Sequence, residues 1–297
     1  MLTGLLRTMR PHQWVKNLVV LAPLVFAREL FDLRAAWRAG AAFLVFCLLA
    51  GTVYMLNDLV DVAADREHPT KKKRPIASGA VSESQAKVAL AILAVLALSG
   101  GVALGVQFLL AALGYLVLNL AYSFKLKQIA YVDLLCIAGG FELRVLGGSF
   151  AAEVPPSWYL LIVIFLGASF LGLGKRAHEL AAMEERAART GTTMAATRVV
   201  LGAYDLRVLT PLLYVMGTAT VITYIVYTLD PHTMEAFGTR WLAPTAFFTL
   251  FGVLRFTHLV RRKSNAESPT DAMLKDAPFL LNIGAWAVCV LLVIYFT

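Results

Sequence analysis

"NDLVDVAADREHPTKKKRPIASG", residues 57–79, decides how this chain is read. It continues without a break from "AGAAFLVFCLLAGTVYML", residues 39–56, an apolar run of the length that crosses a bilayer core. Asp58, Asp61 and Asp65 close that run at spacings i, i+3 and i+7, so a helix puts all three carboxylates on one face, with Asn57 beside them. Acids at a helix C-terminus oppose the macrodipole, and a charge at the edge of hydrocarbon is costly. Hard oxygen donors grouped in this way suit Mg²⁺, which takes one or two carboxylates and fills its shell with substrate phosphates.

The cations that follow carry the opposite sign. Two readings stay open for Lys71 and Lys72: a topology signal or headgroup contact, or part of a binding site. Lys73 and Arg74 lead directly into Pro75, which fixes the backbone of a short return to the next helix. An arginine held there can fork onto a phosphate. Carboxylates for a metal opposite fixed cations form a constellation suited to a diphosphate.

The rest of the chain places that constellation in a membrane. Of 297 residues, 59% are hydrophobic and 15% charged, with a mean hydropathy of +0.71. Soluble domains run near 45–50% apolar and about 25% charged. The net charge of +8 is read as loop charge that sets topology, with no nucleic acid as partner. Cys47, Cys136 and Cys289 sit in apolar runs without metal or disulfide spacing and read as small hydrophobes. The opening "MLTGLLRTMRPHQWVKN" lacks the order of a signal peptide and is expected to be retained.

Hydropathy predicts nine helices, near 14–31, 36–58, 84–101, 103–122, 132–150, 157–174, 208–228, 241–259 and 279–296. Loops are expected near 58–84, 122–132, 174–207 and 255–278. These loops, their flanks and the N-terminus hold 22 of the 27 lysines and arginines, and the alternate loops only Arg28, Arg34, Arg38 and Arg240. The positive-inside rule therefore predicts a cytoplasmic N-terminus, a cytoplasmic 57–79 segment and an external C-terminus. Polar ligands are expected on the inner face.

Further groups are candidates for the same site. Tyr122, Lys125, Lys127 and Asp133 lie at the fourth-to-fifth turn, in "YSFKLKQIAYVDLL". Glu142 and Arg144 lie within the fifth span, where ionisable residues are functional candidates, a structural salt bridge being the other reading. Lys175 and Arg176, followed by Glu179, end the sixth span, either as phosphate ligands or as complements to the helix dipole. Lys16 and Arg10 offer cations near the N-terminus. No P-loop, His/Cys metal spacing or Ser/His/Asp order stands out.

Residues 57–79 resemble the first Asp-rich motif of the UbiA superfamily of intramembrane prenyltransferases, N-D-x-x-D-x-x-x-D followed by an R-P turn. The resemblance extends over the whole chain and implies one all-α membrane domain, 1–297. Its expected form is a UbiA-like bundle of about nine transmembrane helices around a cytoplasm-facing polar cavity. The superfamily's usual second motif, D-x-x-x-D, is missing: between Tyr122 and Arg144 the sole aspartate is Asp133. That departure, with "RPHQWVKN" (10–17, including His12 and Trp14), "YSFKLK", "FELRVLGG" and "GKRAHEL", is similar to the superfamily's phosphoribosyltransferase branch.

The resemblance implies an enzyme that moves 5-phosphoribose from phosphoribosyl pyrophosphate to a polyprenyl (decaprenyl) phosphate for cell-wall arabinan precursors. It implies Mg²⁺ on Asp58, Asp61 and Asp65, catalysis by Asp58, Asp61 and Arg74, and substrate contacts from the remaining candidates. The alternatives are a prenyl diphosphate donor with an aromatic or quinone-like acceptor and, of another class, a polyanion transporter. The concentration of charge on one face argues against transport. Neither a monomer nor a homo-oligomer is singled out.

Overall fold

The computed structural model describes residues 2–68, 70–190, 199–261, 272–273 and 275–297. All regular structure among these residues is helical. In chain order the α-helices are α1 (Leu2–Thr8), α2 (Ala22–Phe26), α3 (Leu33–Val60), α4 (Val62–Glu67), α5 (Glu83–Leu104), α6 (Val106–Phe124) and α7 (Val132–Ala152). They continue as α8 (Trp158–Thr190), α9 (Leu206–Leu229), α10 (Pro231–Phe237), α11 (Ala246–Arg261) and α12 (Ala277–Phe296). Eight helices among the described residues are long and apolar enough to cross a membrane, so the chain is a multi-pass membrane protein.

The helix expected over 14–31 is not one of the eight. A 3₁₀ helix, Pro11–Leu21, follows Arg10 in a left-handed conformation (φ 52°), and the short α2 comes after it. Prolines at both starts, Pro11 and Pro23, divide the segment. The buried Asn17 and Val20 and the partly buried Trp14 are spaced by three, the repeat of a 3₁₀ helix, so one edge of it is the buried one. The loop expected over 174–207 is also revised, because α8 runs on to Thr190. Arg198, Arg262 and Lys263, three of the 22 cations counted for topology, lie outside the described residues.

The chain divides into two compact units: residues 1–124 with 142–156, and residues 125–141 with 157–297. In the first, Val20, Phe46, Phe108 and Tyr115 centre the largest core, and Phe46 meets the edges of Phe108 and Tyr115 at ring distances of 5.8 and 5.4 Å. Arg38 donates to the carbonyls of Leu104 and Ala151 (2.8 and 2.6 Å), satisfying helix-end acceptors.

The 3₁₀ segment lies against α7 so closely that a Cβ on Gly148 would come within 1.9 Å of the Val20 carbonyl oxygen. Backbone atoms cannot rotate aside. Gly148→Ala is therefore expected to cost about 1–3 kcal/mol or more and lower the thermal midpoint of the purified protein. Gly284→Ala, with open space at its Cβ, leaves the midpoint unchanged in the same assay.

The second unit is built on Leu134, Phe170, Leu173, Leu209, Leu213 and Phe256. Gly174 and Gly217 let α8 and α9 close on their neighbours: a Cβ would reach 2.5 Å from Phe256 at Gly174, and 2.9 Å from Phe170 and Val253 at Gly217. Asp276 caps α12 by accepting from Phe279 N–H (2.9 Å) and also takes both arms of Arg255 (3.0 and 2.7 Å).

Candidate active site

The first unit assembles the constellation read from residues 57–79. α3 ends at Val60, Asp61 forms the junction, and α4 starts at Val62. The i→i−4 bonds Asp61 N–H to Asn57 O (2.9 Å) and Asp65 N–H to Asp61 O (2.8 Å) carry helical pitch across the junction. Asp58 and Asp65 therefore share a face, as the spacing predicts. Both are 2% exposed. Asp61 and Asn57 stand partly exposed.

Arg74 joins the two buried acids. Its backbone is extended (φ −63°, ψ 145°), as the following Pro75 requires. Its Nη1 donates to Asp58 Oδ1 at 3.1 Å and to Asp65 Oδ2 at 2.6 Å. Arg10 Nη2 donates to the same Asp58 oxygen at 2.7 Å, and the Arg10 guanidinium lies 4.9 Å from the Tyr54 ring centre. Lys71 Nζ is 3.9 Å from Asp65 Oδ1. Buried carboxylates persist only when paired, and here two of them meet three cations. Both arginines remain about a quarter exposed, so they can also reach an incoming anion. Lys72 and Lys73 are exposed, and Lys16 is half-buried on the 3₁₀ segment.

Mg²⁺ fits this donor set in a particular way. Among the described residues no three carboxylate, His or Cys side chains stand in ligand geometry. Asp58 and Asp65 converge on one nitrogen, which gives the one or two carboxylates that Mg²⁺ takes together with phosphate oxygens. The donor chemistry therefore suits a phosphate-bridged metal better than a cage made wholly of protein.

A second polar group in the first unit surrounds Arg144, within the span of α7. Its Nε donates to Asn17 Oδ1 (2.7 Å) and its Nη2 to the Tyr115 hydroxyl (2.9 Å), and Asn17 Nδ2 donates to Cys47 Sγ (3.3 Å). Two buried polar atoms in this unit, Glu142 Oε1 and Trp14 Nε1, have no hydrogen-bond partner among the described residues. Buried polar atoms are ordinarily satisfied, so an orphan acceptor and an orphan donor mark places for a ligand or water. Tyr122 is half-buried in the same unit.

In the second unit Asp133 is fully buried and accepts from Arg176 Nε at 2.8 Å and from the Tyr204 hydroxyl. Arg176, itself 3% exposed, also donates to Glu179 (2.6 Å), and the Tyr204 oxygen accepts from Tyr131 N–H (2.9 Å). Burial, then the bond to Asp133, pushes the Tyr204 phenol above its ordinary range and keeps it a donor. Lys125 is exposed, and Lys127 and Lys175 are half-buried. Tyr204, Asn17, Tyr54 and Tyr115 do not follow from any sequence motif; the one available signal was that Arg144 inside a span requires partners.

The chain belongs to the UbiA prenyltransferase family, which matches residues 18–294. Among its relatives are two proteins named decaprenyl-phosphate phosphoribosyltransferase. The one from Mycolicibacterium smegmatis is 34% identical, covering 100% of this chain and 94% of that protein; the one from Corynebacterium glutamicum is 33% identical, covering 98% and 87%. A UbiA homolog from Archaeoglobus fulgidus, solved with GPP and Mg²⁺, shares the fold at a TM-score of 0.69 and 19% identity, covering 98% of this chain and 96% of that one.

Proposed function

We propose that this protein transfers 5-phosphoribose from phosphoribosyl pyrophosphate to a polyprenyl phosphate, decaprenyl phosphate above all, and releases pyrophosphate. The observation that carries this reading is the Arg74 bridge between two buried carboxylates at the end of a membrane helix. The names of its full-length relatives supply the donor and acceptor. The orphan polar atoms of Glu142 and Trp14 agree with a donor rich in hydroxyl groups, which a prenyl chain lacks. Cell-wall arabinan precursor synthesis is the setting that fits such a product.

Asp58 and Asp65, with Asp61 beside them, would hold Mg²⁺, which when bound supplies Lewis-acid neutralisation of a diphosphate. Arg74, Arg10 and Lys71 receive the pyrophosphate and stabilise the charge that builds as the C1–O bond breaks. The lipid phosphate oxygen forms the new bond to C1. A phosphate monoester is already anionic at neutral pH, so the step requires no general base. Glu142 accepts from ribose hydroxyls, and Arg144, Asn57 and Tyr122 line the same path. Lys16 and Lys73 supply cations for the 5-phosphate and the lipid phosphate, while Lys125, Lys127 and Lys175 are the candidate cations of the second unit. Asp133 and Arg176 hold each other within the second unit. The positive-inside distribution supports a cytoplasmic N-terminus and a cytoplasmic 57–79 segment, the side on which a water-soluble sugar-phosphate donor is available.

The second reading, a prenyl diphosphate donor with an aromatic or quinone-like acceptor, is favoured by the family's name and by the GPP held in the A. fulgidus neighbour. A donor panel decides between them. With purified protein, Mg²⁺ and decaprenyl phosphate, label from phosphoribosyl pyrophosphate is expected in the lipid fraction, and EDTA abolishes it. Transfer from a labelled prenyl diphosphate alone would overturn the proposal.

A further inference from the structure

The second unit has a cleft that the proposed reaction does not use. It lies between α9 and α11 with Phe170 of α8 beneath, and has a volume of about 160 Å³, room for roughly five water-sized groups. Tyr214, Thr218 and Ile222 form one wall, Leu250 and Leu254 the other. All five are exposed, and they lie on two helices that cross the membrane, so lipid is the surrounding solvent. Gly217 makes the cleft: with no side chain it leaves α9 against Phe170 and Val253.

One end of the cleft is charged. Arg261, the last residue of α11, lies with its guanidinium 5.5 Å from the ring centre of Tyr214. It is exposed and has no acidic partner among the described residues. In sequence Arg262 and Lys263 follow it. From Leu250 to Arg261 a helix rises roughly 16 Å, about half the thickness of a bilayer core. A cation at the interface and an apolar track of one leaflet's depth match an anionic headgroup and a single acyl chain. A decaprenyl chain of ten isoprene units is far longer than this track.

We propose that the α9–α11 cleft is a binding site for an anionic phospholipid of the bilayer, with its phosphate at Arg261 and one acyl chain along the cleft. The cleft shares no residue with the proposed reaction centre, and its test does not depend on which donor the enzyme uses.

The test is native mass spectrometry of the full-length, delipidated protein, titrated with phosphatidylglycerol or with phosphatidylcholine of identical chains. A cation near a membrane surface contributes about 1 kcal/mol toward an anionic lipid, so wild type is expected to retain phosphatidylglycerol about fivefold better. Arg261→Gln removes that preference and leaves the weaker, chain-driven binding. Thr218→Trp, which fills the cleft from an exposed position, lowers retention of both lipids. Equal retention of the two lipids by wild type overturns the proposal without any variant. An undiminished preference in Arg261→Gln, displacement of phosphatidylglycerol one-for-one by decaprenyl phosphate, or a lipid-free dimer that Thr218→Trp dissociates would each overturn it too.

Discussion

Asp58→Ala is expected to lower phosphoribosyl transfer at least about a hundredfold, the loss seen when one preorganised electrostatic group is removed from a reaction centre. The fold should survive. Arg10 and Arg74, which lose a shared acceptor, are each about a quarter exposed and can take water in its place, and Arg74 keeps Asp65 at 2.6 Å. The loss therefore falls on turnover, because the centre loses an oxygen donor for the metal and the anchor that aims two arginines at one point. The check is label transfer and thermal midpoint on the same preparation. Turnover within tenfold of wild type, with an unchanged midpoint, would remove Asp58 from the reaction centre. Asp61→Ala separates the roles further. Asp61 is partly exposed at the α3–α4 junction and its carboxylate makes no hydrogen bond among the described residues. Its replacement affects transfer, and the Mg²⁺ concentration that transfer needs, without affecting stability.

What could be read from the sequence follows from the distance along the chain between interacting groups. Asp58, Asp65 and Arg74 are local: a helical repeat brings the two acids together, and a proline after a short turn returns the arginine to them. The apolar runs of α3, α5, α6 and α12 were equally legible, since bilayer thickness sets their length. The extension of α8 to Thr190 is legible in part: its apolar run ends near residue 174, which suggests a loop, while "AHELAAMEERAART" continues with helical periodicity, mixed charge and strong helix formers. The 3₁₀ segment is not legible, because its repeat of three reads, over so short a stretch, like an interrupted α-helix. The bonds between Asn17 and Arg144, and between Asp133 and Tyr204, join groups 127 and 71 residues apart. No spacing rule encodes such pairs; a buried charge announces only that some partner exists.

Asp133 and Arg176 supply the second large effect, and here the loss falls on the fold. Removing one member of a buried ion pair costs about 3–5 kcal/mol, because the other is left charged and out of water. The two single variants are not equivalent. Arg176→Gln leaves Asp133, fully buried, with the Tyr204 hydroxyl as its remaining partner. Asp133→Asn leaves Arg176 with Glu179 at 2.6 Å, and keeps an oxygen to accept from Tyr204. Arg176→Gln is therefore the more destabilising, and Asp133→Asn costs less. The double variant replaces two charges by two amides able to bond each other, so it recovers most of the loss. Thermal midpoints of the four proteins check the order. Transfer activity then decides what the pair is for. If Arg176 and Asp133 serve to hold each other, and through Tyr204 the segment before α9, the double variant regains turnover to within about tenfold of wild type, an activation cost of about 1.4 kcal/mol. A double variant with a restored midpoint and no turnover would instead make Arg176 a ligand of a substrate phosphate.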